Sequence, residues 1–245
     1  MTHQTLAVLV IGNEVLSGRT REANAWLVAQ KMFEHGCHLS EVVVVPDVQA
    51  EIVQSLNRLR HRHDAVITSG GIGPTHDDIT MDAVAEAFDV PLLEHAETMA
   101  KLHEHFGDDI NPGRRRMARL PQDAIPILCA ESMMPGAHIG NVYILAGVPY
   151  IFASQLASVM DDFAGEPFLR EEIEVLIPES IFARGLAEIQ AQHQHVEIGS
   201  YPGRCGLSPT GKICFSSKNL AQLKAAKLDV LAMLEKLKQD LCNDN

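Results

Sequence analysis

The chain has 245 residues, 46% hydrophobic and 21% charged, which allows a packed globular core and excludes a disordered or fibrous chain. A formal net charge of −12 excludes general affinity for nucleic acid, whose binding relies on Lys and Arg displacing counterions from phosphate. No apolar run nears the ~20 residues of a membrane helix, and the opening Met1-Thr2-His3-Gln4 lacks a signal peptide's basic start, so a cytoplasmic protein without a membrane partner is expected.

Leu6 to Ile11 is a continuous apolar run closed by Gly12, the pattern of a strand buried on both faces of a parallel sheet. Trp26, Ala29 and Phe33 then recur at helical spacing, with Gly36 placed to end the helix. Val42 to Val45 predicts a second strand, Ile52, Val53, Leu56 and Leu59 the stripe of a second helix, and Ala65 to Thr68 a third strand. Strand and helix in alternation imply an α/β, doubly wound, mostly parallel sheet. Met81, Val84 and Phe88 line a helix starting near Thr80, a further helical stretch runs from about Glu97 to Phe106, and Ile125–Leu128 and Val142–Ala146 supply strands.

A break at Gly165-Glu166-Pro167 separates a domain over 1–166 from a small α+β subdomain over 167–245. The latter reads as a strand around Ile173 to Ile177, a helix from Ser180 to about Gln190, strands near Val196 and Ile213, and a long final helix. Leu220, Leu223, Val230, Leu234 and Leu237 form that helix's apolar face.

The stretch from Thr68 to Thr80 carries the most chemistry. Gly70, Gly71 and Gly73 let backbone N–H groups approach an anion, and the helix beginning near Thr80 aims its positive end the same way. Asp77 and Asp78 suit a divalent cation held between carboxylate and phosphate oxygens. The loop is neither a P-loop nor a dinucleotide fingerprint. A tight strand-to-helix turn also uses glycine, but three glycines with two aspartates and a threonine exceed what a turn needs.

In an open sheet ligands sit at the carboxyl ends of the strands, so the loops after Ile11, Val45 and Thr68 converge on one site. They bring Asn13 and Glu14 to the ligand or a metal-bound water, and Asp47 either to the site or to the start of the next helix as a cap. Arg114, Arg115, Arg116 and Arg119 form the densest positive patch, either a solvated helix face or a second phosphate site. The pairs His61/His63, His103/His105 and His193/His195 diverge at i, i+2 spacing and read as surface residues, whereas His76 sits where it can help hold phosphate. Cys37, Cys129, Cys205, Cys214 and Cys242 are odd in number, contain no Cys-x-x-Cys pair and read as buried or incidental thiols. Met133 and Met134 read as adaptable cover for the pocket.

Several motifs occur together: Ile11-Gly12-Asn13-Glu14, Leu16-Ser17-Gly18-Arg19-Thr20 with Asn24, Val45-Pro46-Asp47, the Gly-rich loop through Asp77-Asp78-Ile79-Thr80, Ala146-Gly147-Val148-Pro149 and Gly199-Ser200-Tyr201-Pro202. With these the chain resembles the molybdopterin-binding superfamily of MogA and MoaB proteins, and within it CinA-type amino-terminal domains and the related domain of animal FAD synthases. The resemblance spans nearly the whole chain and implies a three-layer α/β/α sandwich, a phosphorylated pterin or nucleotide as ligand and a homo-oligomer, dimer or trimer.

What it implies for the site is Gly12, Asn13, Asn24, Ser69, Gly70, Gly71, Gly73, Thr75, Thr80, Ser132, Gly136, Gly147 and Pro149 around the ligand. Glu14, Asp47 and Asp78 are then catalytic, and Asp77 and Asp78 hold Mg²⁺, Mn²⁺ or Co²⁺. MogA-like relatives imply adenylyl transfer on molybdopterin; CinA-type and FAD synthase relatives imply metal-dependent cleavage of ADP-ribose or FAD. The cleavage is the leading expectation, with binding of molybdopterin or a nucleotide without turnover as its rival and adenylyl transfer third. The carboxyl-terminal amidohydrolase domain of full-length CinA proteins has no counterpart in this sequence, so no nicotinamide-nucleotide deamidase activity is expected. Met133 stands where relatives commonly carry lysine, which removes a cation able to neutralise phosphate charge.

Overall fold

The computed structural model describes residues 5–107, 109–163, 165–203 and 211–243. Met1 to Gln4, Cys205 and the side chain of Cys242 lie outside the described residues. Contacts divide the chain into two compact units, Met1–Gly165 and Glu166–Asn245.

In the first unit the chain runs β1 (Thr5–Ile11), α1 (Asn13–Leu16), α2 (Asn24–Glu34), β2 (His38–Val45), α3 (Gln49–Arg62), β3 (Ala65–Ser69) and α4 (Thr80–Ala87). It continues through β4 (Leu92–Glu94), α5 (Ala96–Phe106), α6 (Pro112–Arg116), β5 (Arg119–Pro121), β6 (Ile125–Cys129), β7 (Ser132–Ile139), β8 (Val142–Leu145) and α7 (Pro149–Ser158). Six strands form one sheet in the order β2-β1-β3-β8-β7-β6. The pairs β1–β2, β1–β3 and β3–β8 are parallel, while β7 runs antiparallel to both its neighbours.

β1 is apolar throughout because both of its faces are covered. Ala7, Leu9 and Ile11 pack with Ile52, Leu56 and Leu59 of α3 and Val84 of α4, whereas Leu6, Val8 and Val10 pack with Val28 and Met32 of α2 and Phe152 and Leu156 of α7. The result is an α/β/α sandwich. β4 and β5 pair as a separate ribbon, and a small cluster of Met99, Leu102 and Ala118 lies beside it.

The sequence pattern misplaces some faces. Trp26 is 65% exposed, and the buried side of α2 is Asn24, Ala25, Val28 and Met32, one position out from the predicted stripe. His63 is not a surface residue: its side chain is buried at 6% exposure, 3.3 Å from the Glu41 carboxylate. The entire strand β7 is absent from the periodicity because Pro135 and Gly136 interrupt it, and both residues are rare within a sheet.

In the second unit β9 (Leu169–Val175), β10 (Glu197–Pro202) and β11 (Gly211–Ser217) form an antiparallel sheet in the order β10-β11-β9. Its apolar face is covered by α8 (Glu179–Gln192) and α9 (Leu220–Asn243) through Phe182, Leu186, Leu223 and Val230. Leu220 departs from the expected stripe and is 49% exposed.

Phe152 is fully buried between sheet and helix. Phe152→Ala is expected to lower the stability of the first unit by about 3–5 kcal/mol, read from the midpoint of its denaturant transition.

Candidate functional site

From β1 the chain moves to β2 on one side, and from β2 back across to β3 on the other, so the carboxyl ends of β1 and β3 flank a topological switch point. Two contacts close the strand ends around it. Gly12 N donates to Val45 O at 3.2 Å, and Gly70 N donates to Leu145 O at 3.2 Å. Gly70 adopts φ +104°, and a Cβ there would lie 2.3 Å from Ile11 O, so only glycine lets the loop pass so close to β1. Gly71, at φ +69°, leaves the space that Thr80 Oγ1 fills. Thr80 is fully buried; its Oγ1 donates to Gly70 O at 2.8 Å and its N to Gly71 O at 3.0 Å, which shuts the loop onto the start of α4.

Asn24 ties the loops together from the opposite side. Buried at 6% exposure, its Nδ2 donates to Ser69 Oγ and to Gly147 O, both at 2.9 Å. One amide thus links the segments that follow β3 and β8.

Above this knot opens a cleft of about 520 Å³. Of the predicted residues, Glu14, Gly70, Gly71, Gly73, Asp78, Ser132, Gly147 and Pro149 line it. The N–H groups of Gly71, Ile72 and Gly73 have no hydrogen-bond partner among the described residues. Three successive free amides at the rim of a concavity are what an anion site requires. Ile72, Met117, Met134, Val148 and Ile151 give the cleft an apolar wall, and among its described lining residues there is no Lys, Arg or His.

Other predicted residues take supporting positions. Asn24 and Ser69 border a narrower crevice of about 60 Å³ that shares Glu14, Thr20, Gly70, Gly147 and Pro149 with the cleft. Gly12 is buried, and Asn13 heads α1 with its N–H donated to Asp47 Oδ2 at 2.8 Å. Asp47 does not line the cleft; neither does it cap α3, whose preceding residue Val48 makes no side-chain cap. Its carboxylate instead secures the turn that carries Glu14. Gly136 is buried on β7, outside the lining.

Asp77 and Asp78 part company. Thr75 Oγ1 lies 2.5 Å from Asp77 Oδ1 and 2.6 Å from Asp78 Oδ2, and Thr75 N donates to the same Asp78 oxygen at 2.8 Å. Asp78 faces the cleft; Asp77 is exposed outside it, held below the usual carboxylate range by the Thr75 hydroxyl. Thr75 and His76 border a different depression.

Thr20, Met117, Ile151 and Gln155 line the cleft without having been singled out in the sequence as site residues. Gln155 is fully buried on α7, where its Oε1 accepts from Ala146 N at 2.8 Å. No sequence signal separates such a residue from an ordinary helical glutamine. Met134 lines the cleft as expected, but Met133 does not and is 37% exposed.

Fold and cleft together define an open α/β protein with a glycine-rich loop and two carboxylates at a topological switch point. Residues 7–170 match the family described as "Probable molybdopterin binding domain", and residues 167–240 match "FAD synthase, middle domain". The chain belongs to the molybdopterin-binding domain family, in the superfamily that includes CinA-type proteins. A CinA-like protein of Myxococcus xanthus is 36% identical over 156 residues, 61% of this chain but only 37% of that protein's own length. Protein TV0584 of Thermoplasma volcanium is 30% identical over 229 residues, 90% of each chain. The crystal structure of the protein CinA, of unknown function, from Thermoplasma acidophilum superimposes with a TM-score of 0.61 at 31% identity, covering 65% of this chain and 97% of that one.

Asn24→Ala removes both bonds of the bridging amide and leaves the buried Ser69 hydroxyl without this donor. The expected loss is about 1–3 kcal/mol of stability for the first unit, measured by denaturant titration.

Proposed function

We propose that the cleft binds a phosphorylated nucleotide or pterin, and that the protein cleaves the pyrophosphate of a nucleotide diphosphate of the ADP-ribose or FAD type with a divalent cation. The observation that carries this reading is the run of amides of Gly71, Ile72 and Gly73 without a partner among the described residues, in a loop that lines the same cleft as Asp78 and Glu14. Amides receive phosphate oxygens, and the apolar wall of Ile72, Met117 and Ile151 suits a planar heterocycle.

The carboxylates of Glu14 and Asp78 repel a phosphate unless positive charge intervenes, and the described lining has no cationic side chain. The donor set fits Mg²⁺, Mn²⁺ or Co²⁺: these ions are commonly held by one or two carboxylates, with substrate phosphates completing the shell. Among the described residues no group of three His, Cys, Asp or Glu converges, so the ion's affinity rests on the ligand's oxygens. Asp78 has one oxygen engaged by Thr75, which orients the other. The Glu14 carboxylate makes no hydrogen bond among the described residues, its carbonyl alone accepting from Thr20 N and Ser17 Oγ, so the carboxylate is free to orient a water. The cation, when bound, neutralises charge developing on the phosphoryl oxygens. Asp47 acts through Glu14 by fixing the turn at Asn13.

The rival reading, binding without turnover, draws on Met133, which leaves β7 without a cation at that position. Incubation with ADP-ribose or FAD and each of the three metals separates the two. AMP release is expected, and Asp78→Asn should lower it roughly a hundredfold or more while the circular dichroism spectrum is unchanged. Unaltered turnover in that variant removes Asp78 from the mechanism, and absence of AMP from the unmodified protein with all three metals favours binding alone.

A further inference from the structure

The arginines that close the first unit's helical excursion take no part in the cleft. Arg114 is fully committed: its guanidinium lies 3.8 Å over the Phe106 ring and its Nη1 donates to Asp109 Oδ2 at 2.9 Å. Arg115, Arg116 and Arg119 instead border a second depression of about 450 Å³, together with Thr75, His76 and Glu94. It shares only Pro74 with the cleft.

Three guanidiniums here meet two carboxylates. Arg115 Nε lies 3.2 Å from Glu94, while Asp82 alone serves both Arg116 and Arg119, at the long distances of 3.3 and 3.4 Å. These ion pairs leave one guanidinium charge over in a chain of net charge −12, and the Asp77 carboxylate stands at the same rim, 3.9 Å from His76 Nδ1. Arg119 Nε is buried without a hydrogen-bond partner among the described residues, so Asp82 at 3.4 Å is the acceptor this guanidinium has there, and the charge is poorly compensated. Arg116 spends two N–H groups on the Asp78 carbonyl, at 3.2 and 2.8 Å, so its position is fixed. Arg115 retains both terminal Nη groups, and Arg119 its Nη1, without a partner among the described residues, and together these donors match phosphate oxygens, with the Thr75 hydroxyl and His76 beside them.

We propose that this depression is an anion site for a phosphate group, distinct from the cleft. The phosphate comes either from a second phosphorylated molecule or from the far end of the ligand held in the cleft. Both sources present the same dianionic oxygens to Arg115 and Arg119. The site does not depend on turnover, so failure of the hydrolase reading leaves it standing.

Calorimetric titration of the full chain with inorganic phosphate at low salt, where such pairing is least screened, tests it. The Arg115→Ala/Arg119→Ala double variant should lose one binding event or at least tenfold in affinity. A Lys224→Ala/Lys236→Ala control, which removes the same charge from exposed positions of α9, should bind as the unmodified protein does. Should the alanine variant fail to fold, Arg115→Gln/Arg119→Gln takes its place. A crystal soaked in phosphate should show the anion within hydrogen-bond reach of both arginines. Displacement of that phosphate by ADP-ribose assigns the group to the cleft's ligand, and its retention assigns it to a second molecule. Wild-type affinity in the double variants, or density at the Gly-rich loop alone, overturns the proposal.

Discussion

Three strand ends must close on one another before there is any site. β1, β3 and β8 are adjacent and parallel, so their following segments leave the sheet at the same edge and compete for the same space. The glycine at position 70 admits the β3 loop against Ile11 O, and the Asn24 amide spans Ser69 and Gly147 where no backbone ladder continues. These contacts join segments far apart in sequence, and the cleft is the cavity left above them. Neutral hydrogen bonds of this kind contribute only about 0.5–1.5 kcal/mol each, but leaving the same buried groups unpaired costs more. The loop's shape is therefore held chiefly by the penalty for opening it.

With Thr80 and Leu145 satisfying the two ends of the glycine-rich segment, the amides of Gly71 to Gly73 have no partner among the described residues. An irregular loop whose middle amides remain free and whose ends are anchored is pre-organised for an acceptor from outside, because the ordering entropy is spent on folding rather than on binding. The carboxylates beside it set the electrostatic condition. Glu14 and Asp78 are both acidic, and the described lining offers no cationic side chain to balance them. Arg115, Arg116 and Arg119 lie at the other depression, where Arg116 grips the loop through the Asp78 carbonyl, and Arg21 borders the crevice beside the cleft.

Much of the architecture is legible in the residues because burial on two faces leaves an unmistakable apolar run, as in Leu6 to Ile11 and Ala65 to Ile67. The glycine-rich loop is legible for the same kind of reason, since Gly70 and Gly71 are demanded by the backbone itself. Positions whose role depends on what the fold brings beside them are not. Asp47 offers a capping residue to its own neighbours but gives its carboxylate to Asn13, 34 positions earlier, a partner no local pattern predicts. Trp26 illustrates the complementary failure: hydrophobicity selects it for the core, yet the helix turns Ala25, Val28 and Met32 inward instead. Gln155 and Thr20 enter the cleft only because α7 and the loop before α2 meet there.

The adjacent aspartates look alike in sequence and separate in space, and Thr75 is the reason. Its hydroxyl carries one proton and lies within 2.6 Å of an oxygen from each carboxylate, so it can donate to only one at a time. Asp78 has the Thr75 backbone N–H as a second donor and keeps its place whichever way the hydroxyl turns. Asp77, more exposed, has the hydroxyl and its own backbone N–H. Asp78 is also fixed from behind, where its carbonyl accepts from Arg116, so the two carboxylates are anchored unequally. The loop can thus exchange partners on its outer side without disturbing the carboxylate that faces the cleft.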